Sequence, residues 1–206
     1  MADSRQKIIE QATREFSEYG YNGARMQRIA DKASVNKAMI YYYFSSKDQL
    51  FETIIRETFS QIFATLGKIL VPGQLDLEDM IRQMIYAHID FLAANRDFPK
   101  ILLREIHGKN PIPLKVVREL VNEFGRDNIM YFFRQVEQAK NEEKIRNVDA
   151  MQTLWSIIAL NIFYFVTEPI LSIFWQSSDA ADVLENRKQA IIDLVLYGLL
   201  PRKDEE

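Results

Sequence analysis

The stretch VNKAMIYYYFSSKDQLF, residues 35–51, sets three consecutive tyrosines on a segment whose apolar residues otherwise repeat at helical spacing. At about 100° per residue, Ile40 and Phe44 share one stripe, and Tyr42 points away from it beside Ala38. Tyr41 and Tyr43 fall on the flanks, where a ring can lean on a core while its hydroxyl stays outside. At least one tyrosine is therefore displayed. Lys37 and Lys47 bracket the same surface, and Arg25 and Arg28 lie on the short segment just before it.

Two short helices, MQRIADKA at 26–33 and KAMIYYYF at 37–44, joined by SVN, meet the requirements of a helix-turn-helix. Ala30 is small enough for a close crossing, and Val35 and Ile40 can lock the pair from inside. The second helix is then free to enter a DNA major groove. Ala38 at its outward N-terminal end lets backbone approach base edges. Lys37 is placed for guanine O6/N7 or a phosphate, Met39 and Tyr42 for thymine methyls or sugars, and Tyr42, Tyr43 and Lys47 for phosphates. Lys47 stands in the first turn of the next helix, whose free N–H groups already favour an anion.

Charge agrees with that placement. The 206-residue chain has a formal net charge of −3, but Arg25, Arg28, Lys32, Lys37 and Lys47 face Asp31 alone between residues 25 and 47. Such a local excess attracts a polyanion even on an acidic protein. With no cysteine the chain forms no disulfide and no thiolate metal site, in keeping with a cytoplasmic protein. Its first residues, MADSRQKIIEQATREF, lack the apolar centre of a secretion signal.

Helical periodicity runs through nearly the whole chain, so the expected fold class is all-α. The first helix is expected at about 4–19, with Asp3 and Gln6 as a capping box and Gly20 as its end. Asn36 caps the 37–44 helix, and Ser45 or Ser46 caps a long helix over 47–70 that stops at VPG, 71–73. Further helices are expected at 76–94, 98–107 and 110–139. The last of these carries an inward stripe of Leu114, Val117, Val121, Phe124, Asn128, Tyr131 and Gln135. An apolar helix over 149–175, the turn SSD at 177–179, a helix over 180–199 striped by Leu184, Ile191, Leu194, Val195 and Leu199, and a tail RKDEE complete the chain. The domain division read from this pattern is a helix-turn-helix domain at 1–46 and a helical domain at 47–206.

Residues 8–51, IIEQATREFSEYGYNGARMQRIADKASVNKAMIYYYFSSKDQLF, resemble the N-terminal DNA-binding domain of the tetracycline-repressor (TetR) family. The resemblance rests on a first helix ending F…YG, then RIADKA, IYYYF and SKDQLF at matching spacings. It implies a homodimeric transcription regulator, usually a repressor, released from a pseudo-palindromic operator by a small molecule bound in the C-terminal domain. The family's DNA contacts carry over to Lys37, Ala38, Tyr42, Tyr43 and Lys47, and to Arg25, Met26 and Gln27. Two positions depart from the pattern. Arg25 stands where relatives often have a capping Ser or Thr, and Ser34 where they often have Gly, at a cost of about 1 kcal/mol if that residue is left-handed.

The C-terminal region carries no motif of comparable specificity. WSIIALNIFYFVTEPILSIFW, 155–175, is long enough to span a bilayer, but Glu168 and Pro169 stand inside it, so the preferred reading is a dimer helix pairing with the last one in a four-helix bundle, with no membrane partner. The candidate effector-lining residues are Met84, His88, Phe91, Leu103, Phe124, Asn128, Tyr131, Arg134 and Trp155, on stripes that mix aromatic area with a few polar groups. No Walker loop, G-x-S-x-G, G-x-G-x-x-G or H-E-x-x-H occurs, so no enzyme, cofactor or metal is expected. The alternative to a regulator is a helical adaptor of the same fold that does not bind DNA.

Overall fold

The computed structural model describes residues 2–108, 110–173 and 180–201, and every described element is helical. The order is α1 (Ala2–Gly23), α2 (Met26–Lys32), α3 (Lys37–Phe44), α4 (Lys47–Ile69), α5 (Leu77–Ala94), α6 (Phe98–Ile106), α7 (Ile112–Leu120), a π-helical turn (Val121–Gly125), α8 (Arg126–Asn141), α9 (Ala150–Leu171) and α10 (Ala180–Leu199). The expected end of the ninth helix near 175, the SSD turn and the RKDEE tail lie outside the described residues.

Two compact units share these helices: residues 1–61 with 95–123, and residues 62–94 with 124–206. The division differs from the one at 46/47 because contacts, and not the helix-turn-helix motif, define it. α6 and α7 count with the first unit, and α4 supplies residues to both.

In the first unit, Ile8, Ala12 and Phe16 of α1 pack with Ile29, Ile40, Phe44, Leu50 and Phe51, all buried. The Phe16 and Phe51 rings meet edge to face at 4.8 Å. α1 breaks at Gly20, whose φ of 68° favours glycine. The break is held by α6: Arg104 Nη1 donates to the carbonyls of Ser17 (3.2 Å) and Glu18 (3.1 Å), and Glu105 Oε1 accepts from the Tyr21 amide at 2.8 Å. Those carbonyls stand in the last turn before the break, where the guanidinium serves as a C-terminal cap. Asp3 does not cap α1, which starts before it; it accepts from Lys7 Nζ at 2.7 Å instead.

In the second unit, α5 packs on α9 and α10 through Met84, Ile85, Ile89, Ile157, Phe165, Ile191 and Ile192. The single helix expected over 110–139 is instead α7 and α8 separated by the π-helical turn. Its expected inward stripe was off by about one position: Ile112, Pro113, Val116 and Leu120 are the buried residues of α7, and Phe132, Val136 and Ala139 those of α8, while Leu114 and Phe124 are exposed. The wider turn changes the register between the two helices, so no one stripe runs through both. On α10, Ile192 and Leu196 are buried in place of Leu194, which is exposed. α9 is long and apolar enough to cross a membrane by length and composition, with a mean hydropathy of 1.6, yet only 22% of that window is buried.

Candidate nucleic-acid interface

The α2–α3 pair is positioned by three local devices. α2 ends in a Schellman arrangement: Val35 N–H bonds Ala30 O at 3.0 Å and Ser34 N–H bonds Asp31 O at 3.2 Å, which places Ser34 at φ 54°, the left-handed position. α3 begins at Asn36, whose side chain accepts from the Ala38 amide at 2.9 Å. Of the two serines expected to start α4, Ser46 does so, accepting from the Gln49 amide at 3.0 Å.

The third helix is thereby locked on one side and bare on the other. Ile40 and Phe44 are buried, Tyr41 is 42% exposed, Tyr42 is 79% exposed, and Tyr43 is half-buried against the Tyr42 ring at 5.3 Å. Lys37, Ala38 and Met39 are exposed beside Tyr42, and the Lys37 ammonium sits 5.9 Å from the Tyr41 ring. Arg25 and Gln27 are exposed at the start of α2, with Gln27 Nε2 donating to Asp31 at 2.8 Å. Met26 was expected on this surface but is buried; its side chain belongs to the core because α2 turns that position inward. Lys47 is turned inward as well, donating to Ala24 O at 2.8 Å with its ammonium 4.7 Å from the Tyr21 ring. Burial lowers its pKa from the usual lysine range.

Glu15, which sequence reading passed over, organises the cationic side of this surface. Its carboxylate is fully buried and accepts from the Arg25 amide (3.0 Å), Arg28 Nε (2.7 Å) and Lys32 Nζ (3.3 Å). Arg25 is the N-cap residue of α2 and its own side chain makes no capping bond, so the acid of α1 does the work of the missing Ser or Thr from across the crossing. Burial pushes the Glu15 pKa up, but the bonds from Arg28, the Arg25 amide and Lys32 outweigh it and the net shift is downward. The sequence signal was present: residue 15 falls on the stripe of Ile8, Ala12 and Phe16, and an acid on an apolar face calls for a partner. Of the five cations between 25 and 47, Arg28 and Lys32 are thus already engaged, both with Glu15 and Lys32 also with Glu18 at 3.7 Å.

The nine expected effector-lining residues are not brought together. Leu103 is exposed on α6 in the first unit. In the second unit Phe124, Arg134 and Trp155 are exposed, Met84 is core, and His88, Phe91, Asn128 and Tyr131 are partly buried. Trp155 was misplaced because α9 is apolar on all sides, so periodicity does not tell its inner from its outer face. A groove of about 440 Å³ between α9 and α10 is lined by Asp149, Thr153, Ser156, Leu160 and Leu194 among others, and by none of the nine.

Comparison with known proteins agrees with this geometry. The family model of bacterial regulatory proteins, tetR family, matches residues 8–54, which hold most of α1, all of α2 and α3, and the start of α4. The HTH-type transcriptional regulator YhgD of Bacillus subtilis is 22% identical over 160 residues, 78% of this chain and 81% of that one. The HTH-type transcriptional repressor NicS of Pseudomonas putida is 31% identical over 105 residues, 50% of this chain but only 48% of NicS. Among solved structures, the TetR-family regulator PfmR of Thermus thermophilus superposes with a TM-score of 0.70 at 23% identity, covering 95% of this chain and 99% of PfmR. The ketosteroid transcriptional regulator KstR2 of Mycobacterium tuberculosis gives 0.72 at 17% identity, with 96% and 95% covered. Residues 8–54 thus match the N-terminal domain of bacterial regulatory proteins, tetR family, and the rest of the chain is similar in fold to solved regulators that carry that domain.

Proposed function

We propose that this protein acts as a cytoplasmic homodimeric repressor that binds a pseudo-palindromic operator and lets go of it when a small molecule occupies its C-terminal helical region. The observation that carries the DNA-binding part is Tyr42, 79% exposed on a short helix whose opposite face is buried. A bare aromatic flanked by Lys37 and the α2 N-terminus suits sugar-phosphate and thymine-methyl contact in a major groove. Two heads would address half-sites about 34–36 Å apart, or a multiple of that.

Dimerisation through α9 and α10 is supported by what the second unit leaves bare. Phe163 (67%), Ile170 and Trp155 lie along the outer side of α9, and Leu194 and Tyr197 (78%) along that of α10. An apolar face of this extent on two adjacent helices is better explained by a second copy than by solvent. The same burial answers the membrane reading of α9, since a helix in an intermolecular bundle needs the composition of a core helix. Release by an effector would act through α4, which has residues in both units and is about 35 Å long by its 23 residues.

The experiment is selection of genomic fragments by the purified full chain, followed by gel retardation with the recovered sequence and with a scrambled one. Retention of the recovered fragment alone, as a complex of two chains, supports the reading. Failure to retain any duplex at low salt would leave the adaptor as the better description.

A further inference from the structure

The second unit contains a polar cluster among α5, α9 and α10 that its own packing leaves incompletely bonded. Asn161 is wholly enclosed on the inner face of α9; its Nδ2 meets His88 Nδ1 at 3.1 Å, and its Oδ1 has no partner. One residue earlier, Leu160 O accepts from Arg187 Nη2 at 2.9 Å, and the Arg187 guanidinium lies 5.3 Å over the Tyr164 ring. Arg187 Nε is enclosed and unpartnered, and among the described residues no carboxylate pairs with this arginine. The next residue behaves in the opposite way: Lys188 pairs with Asp90 at 2.6 Å and Glu185 at 3.4 Å. A guanidinium has five donors in a fixed fork, and in this part-exposed arginine the Nε–H is enclosed with nothing to accept it. On the same helices Ile157, Phe165, Ile191 and Ile192 belong to the buried apolar core of the unit.

We propose that Arg187 is the anchor for the carboxylate of an acidic, largely apolar effector. The carboxylate accepts from Nε–H and a free Nη–H as a bidentate pair, the apolar part lies among the core residues beside Tyr164, and Asn161 Oδ1 accepts from a hydroxyl or N–H on the same molecule. This rests on the effector-responsive reading above and deepens it by naming the chemistry of the ligand.

The test uses the full chain labelled with ¹⁵N-arginine, titrated with octanoate, 3-hydroxyoctanoate and benzoate, and with octanol and benzyl alcohol as uncharged counterparts. Arg187→Gln identifies the Arg187 Nε–H resonance by its disappearance. At least one carboxylate is expected to move that resonance downfield and to bind at least tenfold more tightly than its alcohol, and Arg187→Gln to remove that preference. Asn161→Ala should then equalise octanoate and 3-hydroxyoctanoate. The proposal is overturned if no carboxylate moves the resonance, or if the alcohols move it equally. It is also overturned if the resonance of the ligand-free chain shifts with protein concentration, which would mean that an acid of a second copy fills the site. Should Arg187→Gln fail to fold, the carboxylate-against-alcohol comparison on the wild type still decides. DNA retardation by the ligand-free chain separates the two readings: DNA held by a chain whose Arg187 resonance no carboxylate moves sinks this proposal alone, and DNA not held sinks the regulator.

Discussion

Raising potassium chloride from 50 to 200 mM should weaken operator binding by a factor that the Glu15 network sets in advance. Each phosphate neutralised by a Lys or Arg contributes about 0.9 to the slope of log K against log salt. Between residues 25 and 47 there are five cations, but Arg28 and Lys32 are held by the buried Glu15 carboxylate. That leaves Arg25 and Lys37 in each head, joined by Lys47 if it gives up the Ala24 carbonyl. A dimer thus has four to six such contacts, for a slope of about −3.6 to −5.4 and a loss of roughly 150- to 2,000-fold over the fourfold salt step. Fluorescence anisotropy on a labelled operator measures this directly. Lys37→Ala should make the slope shallower by about 1.8, two contacts per dimer. A slope near −9 would mean that Arg28 and Lys32 leave Glu15 to reach phosphate, and one shallower than −2 would mean that these cations do not meet phosphate at all; either result refutes the reasoning.

Four further outcomes are expected. Glu15→Ala strands the Arg25 amide and the Arg28 guanidinium at a buried crossing and should cost about 2–3 kcal/mol of stability, read by urea unfolding followed at the first unit's tyrosines. Ser34→Gly relieves a left-handed serine and should raise stability by up to about 1 kcal/mol, where a loss would show that the serine is unstrained. Burial lowers the His88 pKa to about 4, below its unfolded value, so its contribution is present above about pH 6.5 and lost as pH falls towards 4, roughly 3 kcal/mol in all; His88→Gln should flatten that limb of the stability curve. Tyr197→Glu should shift the chain from dimer to monomer in sedimentation and abolish operator binding, with helicity by circular dichroism unchanged.

The sequence was most legible where local chemistry dictates local structure. The spacing of Ile40 and Phe44 was enough to turn Tyr42 outward, Asn36 and Ser46 each capped a helix as their side chains allow, and Gly20 broke α1. It was less legible where one side chain serves another element. Lys47 reads as a free cation until Ala24 O comes within 2.8 Å of it, and the role of Arg104 depends on carbonyls more than 80 residues away in the chain. The effector residues were the least accessible. A helix apolar all round, like α9, has no periodicity to mark its inner face, and the π-helical turn at Val121–Gly125 changed the register that placed Phe124 inward. Asn161 and Arg187 could have been noticed as polar residues in apolar surroundings, the same signal that Glu15 carried.

The displayed face of α3 is tested most directly by titrating the selected operator with wild type and with Tyr42→Ala, matched for helicity and for dimer content. Loss of the ring is expected to weaken binding about tenfold or more, of the order of 1–3 kcal/mol for a well-placed groove contact, while both proteins unfold at the same urea concentration. Equal affinity of the two proteins, at every salt concentration, would contradict the assignment of α3 as the helix that meets DNA.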